Sequence, residues 1–244
     1  MQFDSFSSFL ILDFGNSYIK GYLLTKFNYK LKILIKLSEF NLNFLIVQIK
    51  ALKIEKIFYA LNNIKYRFLI KKIILKLKLK LINLNNLNSI KKYFSYAPKE
   101  LGIDLKMLII GAREYGKNVI VVNFGTALSI LTIINYKFIG CLLTSGISLN
   151  KDALALKTNL KIEKLQYQNN LIIANNTKNA LNLGLINFHY LAIKATIKKI
   201  KQYYLDKEFK IIFTSYQKKY FYFDKSVIFD SYLFIKGVQK CLFD

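Results

Sequence analysis

The sequence has few of the residues that form disulfide frameworks and metal centres. Its 244 residues include two cysteines, Cys141 and Cys241, and one histidine, His189. This excludes a zinc site of closely spaced Cys and His ligands. So few cysteines also argue against a disulfide-stabilised domain and fit a reducing compartment. The first residues, MQFDSFSSF, lack the basic start and small-residue cleavage site of a secretory signal. We therefore expect a cytoplasmic location.

Arginine and acidic residues are also scarce. There are two Arg and 14 Asp or Glu against 38 Lys or Arg, which gives a net charge of +24. Such a charge is typical of proteins that bind nucleic acid or anionic membranes. However, arginine is the residue preferred for phosphate and base contacts, and the Lys-, Asn- and Ile-rich composition is typical of an AT-rich genome. We therefore expect no dedicated nucleic-acid or membrane partner, and nucleic-acid binding remains an alternative that rests on charge alone.

One stretch, Val119–Gly146, carries a single charged residue, Lys137. The run from Asn118 to Tyr136 is uncharged for 19 residues, a length close to that of a membrane span. Its many β-branched residues and its interspersed Asn, Ser and Thr favour a buried pair of strands instead. With 53% hydrophobic residues, the chain can bury a large core.

A short pattern occurs twice in the chain. An apolar run ends in Asp13-Phe14-Gly15 in the first half and in Asn123-Phe124-Gly125 in the second, and a second β-rich run follows each turn. The two turns are 110 positions apart, which is close to half of the chain. This repetition predicts a duplicated strand–turn–strand unit.

The predicted secondary structure has the same order in both halves: strands, a helix, then a strand. In the first half we predict strands at 9–24, 28–36, 56–61 and 76–81 and helices at 42–52, 66–75 and 105–112. In the second half we predict paired strands at 119–136, short strands at 210–214 and 226–229, and helices at 146–160, 175–202 and from residue 232. The predicted fold class is α/β, with two halves at residues 1–117 and 118–244.

The Asp13 turn has the residues of a phosphate site. Asp13 ends an apolar strand, and Gly15 lets the backbone approach phosphate oxygens, to which Asn16, Ser17 and Lys20 can donate. A carboxylate at this position suits Mg²⁺ bound to phosphate. The same sequence is also typical of an ordinary β-turn, so the pairing with the Gly125-Thr126 turn is what favours a site.

Asp104 is the second candidate carboxylate. It follows Leu101-Gly102-Ile103 and precedes a predicted helix. An Asp at this position is often a helix N-cap. Alternatively, it is a general base that accepts the proton of a hydroxyl group attacking phosphate, since phosphoryl transfer requires little beyond positioning, a metal and such a base.

These motifs resemble those of the type III pantothenate kinases, which belong to the actin-like ATPase superfamily. The segment from Leu12 to Ser17, with Lys20, resembles their first phosphate motif, and Pro98-X-X-Leu101-Gly102-X-Asp104 resembles their pantothenate motif. Asn123-X-Gly125-Thr126-Ala127 resembles their second phosphate motif. Later matches are Gly140-X-X-X-X-Ser145-Gly146 and Asn176-Thr177 with Ala180 and Gly184. The matches follow the family order from about Leu10 to Leu191.

The resemblance implies a duplicated actin-like (ribonuclease H-like) fold with a nucleotide cleft between the two halves. It implies ATP-dependent phosphorylation of pantothenate to 4'-phosphopantothenate, the first step of coenzyme A biosynthesis, in a homodimer. ATP with Mg²⁺ would be bound by Asp13, Phe14, Gly15, Asn16, Ser17, Tyr18, Ile19, Lys20 and Thr126. Pantothenate would contact Tyr96, Gly102, Ile103, Asp104, Leu105 and Thr177, with Asp104 as the catalytic proton acceptor. Asn123 would bind a monovalent cation, K⁺ or NH₄⁺.

The sequence departs from the family pattern at several positions. The Arg that follows the catalytic Asp is replaced by Leu105, and the cation-binding Asp is replaced by Asn123. Where the family has a Gly-Gly pair, this chain has Gly140-Cys141, and where the family has a Pro, it has Ser145. A later Gly-Gly pair of the family is replaced by Ser215-Tyr216. These changes keep open a second hypothesis, a catalytically impaired pseudokinase or accessory binding protein of the same fold.

Overall fold

The computed structural model describes residues 7–62, 66–94, 100–158, 160–162, 165, 167, 172–215 and 226–244. The chain divides into two compact units, Met1–Gly111 with Leu233–Asp244 and Ala112–Tyr232. Each unit contains one five-stranded mixed sheet and its helices. The last helix packs with the first unit although it is distant in sequence. The predicted division into residues 1–117 and 118–244 stays a prediction.

The first unit is built on a sheet of order β3-β2-β1-β4-β5. β2 pairs with both β1 and β3 in antiparallel orientation, whereas β4 pairs with both β1 and β5 in parallel orientation. The strands are β1 (Phe9–Phe14), β2 (Tyr18–Leu24), β3 (Tyr29–Lys36), β4 (Lys56–Leu61) and β5 (Lys80–Asn83). The helices are α1 (Leu42–Ala51), α2 (Arg67–Leu77), α3 (Ile103–Ala112) and, at the end of the chain, α7 (Leu233–Phe243).

β1 is the central strand of this sheet and is buried along its whole length. Because successive side chains point to opposite faces of a strand, Phe9 and Ile11 pack in one core and Leu10 and Leu12 in another. The Phe9 core includes residues of α3 and α7, whereas the Leu10 core includes residues of α1 and α2. The same alternation places Asp13 on the face that α3 covers.

Two glycines let α3 and α7 pack closely. A Cβ added at Gly111 would collide with the carbonyl oxygen of Leu233, and one added at Gly237 would collide with the carbonyl oxygen of Met107. Met107 and Val238 are both fully buried in the core beneath these helices. This close helix pair fixes α3, and therefore the N-terminal turn of α3, over the Asp13 face of the sheet.

The second unit repeats the topology of the first. Its sheet has the order β8-β7-β6-β9-β10, again with two antiparallel pairs on one side and two parallel pairs on the other. The strands are β6 (Val119–Phe124), β7 (Ala127–Ile134), β8 (Lys137–Ser145), β9 (Lys210–Thr214) and β10 (Val227–Phe229). The helices are α4 (Ile147–Thr158), α5 (Thr177–Asn182) and α6 (Phe188–Tyr203).

This repetition confirms the predicted duplicated α/β fold. Two units, each with a sheet in which the first three strands are antiparallel and the next two parallel, define the duplicated ribonuclease H-like arrangement of actin-like proteins. The uncharged stretch forms β6 and β7, which are almost completely buried. In the part of the chain that the structure describes, no helix has the length and apolar character needed to cross a membrane.

The long helix predicted at 175–202 is interrupted. Asn176 caps its start as expected, because its side chain accepts a hydrogen bond from Asn179 N at 2.9 Å. After α5, the residues Leu183–Asn187 form a π-helical turn before α6 continues. The buried Ile193 and Ile197 of α6 then pack on Ile120 and other residues of the sheet.

The strand predicted at 76–81 was wrong. Lys76 and Leu77 are the last residues of α2, Lys78 is left-handed with φ 54°, and β5 begins only at Lys80. A run of six alternating residues is too short to fix a strand when a preceding helix buries Ile70 and Ile73 on its own face. β5 is nevertheless an edge strand, as predicted.

Candidate active site

The first predicted phosphate turn joins the C-terminal end of β1 to the start of β2 in the first sheet. Gly15 N donates a hydrogen bond to Tyr18 O at 3.1 Å, which closes the turn. Asn16 and Ser17 lie at its tip and are exposed to solvent. Phe14 and Ile19 are fully buried on the α1 and α2 side of the sheet, so contacts from them to a nucleotide would come through the backbone.

Asp13 and Lys20 form an ion pair beside this turn. They are directly opposite each other in the antiparallel pairing of β1 and β2, so their side chains lie on the same face. Lys20 Nζ is 3.7 Å from Asp13 Oδ2. Burial raises the pKa of the Asp13 carboxyl above its ordinary value, and the charge and hydrogen bond of Lys20 oppose that rise.

Asp104 lies in the first turn of α3, above the same face of the sheet. Burial raises the pKa of its carboxyl, and the negative charge of Asp13 raises it further. Hydrogen bonds from the backbone N–H groups of Leu105 and Asp104, together with the positive charge of Lys20, lower this pKa. The structure therefore brings Asp13, Lys20 and Asp104 close enough for their charges to interact.

Gly102 leaves the space that the Asp104 carboxylate occupies. A Cβ at position 102 would lie 2.6 Å from Asp104 Oδ1 and 3.7 Å from Asn62 Oδ1. The Gly102 carbonyl accepts a hydrogen bond from Lys106 N at 3.0 Å, as expected for the residue that precedes a helix. Any larger residue here would displace Asp104.

The remaining residues of the predicted pantothenate motif have different positions. Ile103 and Leu105 are buried, with exposures of 2% and 9%, so their side chains pack in the protein interior. Tyr96 and Pro98 lie outside the described residues, as does Tyr216 of the altered adenosine segment. Asn62 was missed from the sequence, since it lies in no recognised motif and only the fold places it beside Asp104.

The second predicted phosphate turn lies in the second unit. Gly125 N donates to Ala127 O at 3.1 Å, and Gly146 N donates to Thr126 O at 2.8 Å. A Cβ at Gly146 would collide with Gly125 O and lie 2.8 Å from Thr126 O. Gly146, which follows β8, therefore packs directly against this turn and donates a hydrogen bond to it. This contact explains why the family motif has a glycine at this position.

Asn123 occupies the position in β6 that Asp13 occupies in β1. Its Nδ2 donates to Ser129 Oγ at 3.3 Å, and its neighbour in β9 is Thr214. Ser129 and Thr214 are buried, with exposures of 1% and 4%. Asn123, Ser129 and Thr214 thus occupy neighbouring positions on one face of the sheet, and all three side chains are neutral.

Thr177 is exposed at the start of α5 and lines a cavity of about 680 Å³ in the second unit. The cavity lies between Leu154 of α4 and the segment from Ala174 to Leu185. Gly184 of the π-helical turn also lines it, and a Cβ there would meet no described atom within 4 Å. The first turn and Asp104 thus belong to the first unit, whereas the second turn and Thr177 belong to the second unit. The prediction that the two turns face each other across a cleft stays a prediction.

The fold and these motifs define an α/β protein of the actin-like class. A solved structure from Campylobacter jejuni, described as a Baf family transcriptional activator, shares this fold with a TM-score of 0.58 and 23% identity, over 95% of this chain and 96% of that chain. The sequence model of the type III pantothenate kinase family matches residues 9–199. The chain therefore belongs to the type III pantothenate kinase family.

Individual relatives agree with this assignment. A type III pantothenate kinase from Thermosipho africanus is 32% identical over 145 residues, which are 58% of this chain and 58% of that protein. One from Kosmotoga olearia is 36% identical over 148 residues, which are 58% of this chain and 55% of that protein. The match spans less than two thirds of the length of these relatives.

Proposed function

We propose that this protein transfers the γ-phosphoryl group of ATP to the primary hydroxyl of pantothenate, giving 4'-phosphopantothenate and ADP. The observation that supports this most is the placement of Asp13, Lys20 and Asp104 on one face of the first unit, where their charges influence one another. A carboxylate and a lysine on paired strands, with a second carboxylate in the helix turn above them, are groups that phosphoryl transfer can use for the metal, the phosphates and the base. The reaction would be the first step of coenzyme A biosynthesis, in the cytoplasm.

Asp104 is the proposed proton acceptor. The pantothenate oxygen attacks the γ-phosphorus, the bond from that phosphorus to the β-phosphate oxygen breaks, and the hydroxyl proton passes to the Asp104 carboxylate. A base works best when its pKa approaches the working pH, and burial together with the Asp13 charge raises the pKa of Asp104 in that direction. The carboxylate is also held by backbone N–H groups of its own helix, which fixes its orientation.

Asp13 and the Gly15 turn are the proposed sites for the phosphates and Mg²⁺. Among the described residues, no group of three or more His, Cys, Asp or Glu could hold a metal ion on its own. Mg²⁺ is usually bound through one or two carboxylates and the substrate phosphates, so Asp13 together with the phosphates would hold it. Bound Mg²⁺ would neutralise charge on the phosphates, while Lys20 and the backbone N–H groups of the turn position them.

The second unit would contribute three further contacts. Thr126 is the proposed phosphate donor of the second turn, and Thr177 the proposed pantothenate contact in its cavity. Asn123 is the proposed ligand of K⁺ or NH₄⁺, with weaker dependence on the cation than a carboxylate would give because an amide carries no charge.

We also propose a homodimer, formed through the second unit. Several large apolar side chains of this unit are exposed, and a dimer interface would bury those that form a continuous patch. They are Ile139, Leu142 and Leu143 of β8, Leu149 and Leu156 of α4, and Phe188 and Leu191 of α6. Light scattering after size exclusion should then give twice the chain mass of 28.5 kDa, and a mass of one chain would contradict the proposal.

The function is tested by an assay of ADP release with and without pantothenate, in K⁺ and then in Na⁺. The proposal predicts that ADP release requires pantothenate and that phosphopantothenate appears in equal amount by mass spectrometry. ATP binding by calorimetry without any turnover would instead support the impaired relative. Absence of both binding and turnover would contradict the proposed kinase activity.

A further inference from the structure

Asn62 lies at the edge of the sheet where the proposed catalytic groups meet. It directly follows Leu61, the last residue of β4, and Leu61 is paired with Phe14 of β1. Phe58 and Ala60 of β4 pack in the core that includes Ile103 and Met107 of α3. Continuing this alternation places Asn62 on the same face of the sheet as Asp13, where it is exposed to solvent beside the start of α3.

The side chain of Asn62 reaches the backbone of Asp104. Asp104 N donates a hydrogen bond to Asn62 Oδ1 at 3.4 Å. Because α3 begins at Ile103, the N–H of Asp104 is one of the first four of the helix, which have no backbone acceptor within the helix. It also interacts with the Asp104 carboxylate, so Asn62 and that carboxylate share this donor. A helix normally satisfies such a group with a Ser, Thr, Asp or Asn at the preceding position, but that position is Gly102, which has no side chain.

We propose that Asn62 is a positioning residue for Asp104: it caps α3 from the neighbouring strand and thereby holds the Asp104 carboxylate over the Asp13 face of the sheet. Its role in catalysis rests on the proposed function. Gly102 supports this assignment, since a side chain there would contact both Asn62 Oδ1 and Asp104 Oδ1. The three residues thus lie close together, and each has a different role. Gly102 leaves space because it has no side chain, Asn62 provides the hydrogen-bond acceptor, and Asp104 provides the carboxylate.

The alternative is that Asn62 is an ordinary helix cap with no influence on the reaction. The chain offers a matched control, Asn41, which caps α1 in the same unit by accepting hydrogen bonds from Asn43 N and Phe44 N. Asn41→Ala and Asn62→Ala each remove one helix cap, so both should lower the melting temperature, and Asn62→Ala should do so by no more than Asn41→Ala because it loses a single hydrogen bond of 3.4 Å. They should differ only in what happens at Asp104.

The first experiment compares steady-state kinetics of the two variants. Asn62→Ala should lower kcat about tenfold or more, with less than a twofold change in KM for ATP, since its effect is on the base and not on the nucleotide. Asn41→Ala should leave kcat within twofold. Equal kcat values for the two variants would overturn the positioning role.

The second experiment follows the Asp104 carboxyl itself, by carboxyl ¹³C NMR titration of the protein without substrates, with Asp104→Asn to assign the signal. Asn62→Asp keeps an acceptor for the cap but adds a negative charge, so it should raise the pKa of Asp104, whereas Asn41→Asp should leave it unchanged. An unchanged Asp104 titration in Asn62→Asp would overturn the inference whatever the activity. If the wild-type protein lacks turnover but the titration shifts, the proposed function fails and the coupling of Asn62 to Asp104 stands.

Discussion

Asp13 and Lys20 are direct partners across β1 and β2, and Lys20 Nζ lies 3.7 Å from Asp13 Oδ2. Despite this ion pair, burial keeps the pKa of Asp13 above its ordinary value. The lysine therefore compensates the buried carboxylate only in part. An incompletely compensated carboxylate is expected to bind a further cation readily, which suits the proposed Mg²⁺–phosphate site.

Removal of the lysine charge should be detectable at both carboxylates. In Lys20→Gln the pKa values of Asp13 and Asp104 should both rise, because the positive charge lowers each of them in the wild-type protein. Carboxyl ¹³C NMR titration without substrates checks this. Lys30→Gln, an exposed lysine of β3, is the control and should change neither value. Unchanged titrations in Lys20→Gln would show that the three groups do not interact.

Substitution of Asp13 should stabilise the free protein at neutral pH. Its folded-state pKa is raised above the unfolded value of 3.8, so the folded state binds the proton more tightly and stability falls as pH rises from about that value through the folded pKa. A tenfold difference in proton affinity corresponds to about 1.4 kcal/mol. Asp13→Asn removes this loss, so its free energy of unfolding should exceed that of the wild type at pH 8 and approach it near pH 4.

Denaturant melts at both pH values, without ATP or Mg²⁺, measure the difference. Calorimetry should show at the same time that Asp13→Asn no longer binds Mg²⁺–ATP. A variant that is less stable than the wild type at pH 8 would mean that the Lys20 ion pair outweighs the cost of burial.

The contact between Gly146 and the second turn predicts a local effect of Gly146→Ala. The added methyl group would collide with Gly125 O and crowd Thr126 O, so the turn must move, at a cost of about 1–3 kcal/mol. The KM for ATP should rise because Thr126 moves with the turn. Gly140→Ala in β8 is the control, since a Cβ there would meet no described atom within 4 Å. Equal ATP affinity in the two variants would remove Thr126 from the nucleotide site.

The neutral Asn123 predicts a weak response to monovalent cations that one substitution should strengthen. In Asn123→Asp a carboxylate replaces the amide, and the hydroxyl of Ser129 can turn to donate to it across the 3.3 Å contact. We expect the ratio of activity in K⁺ to activity in Na⁺ to be larger in Asn123→Asp than in the wild type. Asn135→Asp, in the turn after β7, serves as the control. The same ratio in all three proteins would argue against a cation at position 123.

Much of the fold could be predicted from local pattern. The apolar runs that end in Asp13-Phe14-Gly15 and Asn123-Phe124-Gly125 do form equivalent strand–turn–strand units, because strands buried on both faces read as continuous apolar runs. The cap at Asn176 was also predictable, since its chemistry is local. The end of α2 could not be predicted in this way. The helix ends before Lys78, which adopts a left-handed conformation, and the Lys–Leu alternation does not indicate this.

The contacts around Asp104 could not be predicted from the sequence, because they depend on the fold. The sequence indicates a carboxylate before a helix, but not that Asn62, 42 positions earlier, accepts from its N–H. Nor does it show that Gly111 and Gly237 let the last helix pack against α3. These contacts are made between segments that are distant in the chain, and no local pattern encodes them.

The most direct test of the account is the activity of Asp104→Asn, measured as phosphopantothenate formed from ATP and pantothenate. The amide keeps the shape of the side chain but cannot accept the proton, so kcat should fall about 10²–10⁴-fold while the melting temperature does not decrease. Asp152→Asn, an exposed acid of α4, is the control and should retain wild-type activity. An Asp104→Asn protein as active as the wild type would contradict the central claim that Asp104 accepts the proton.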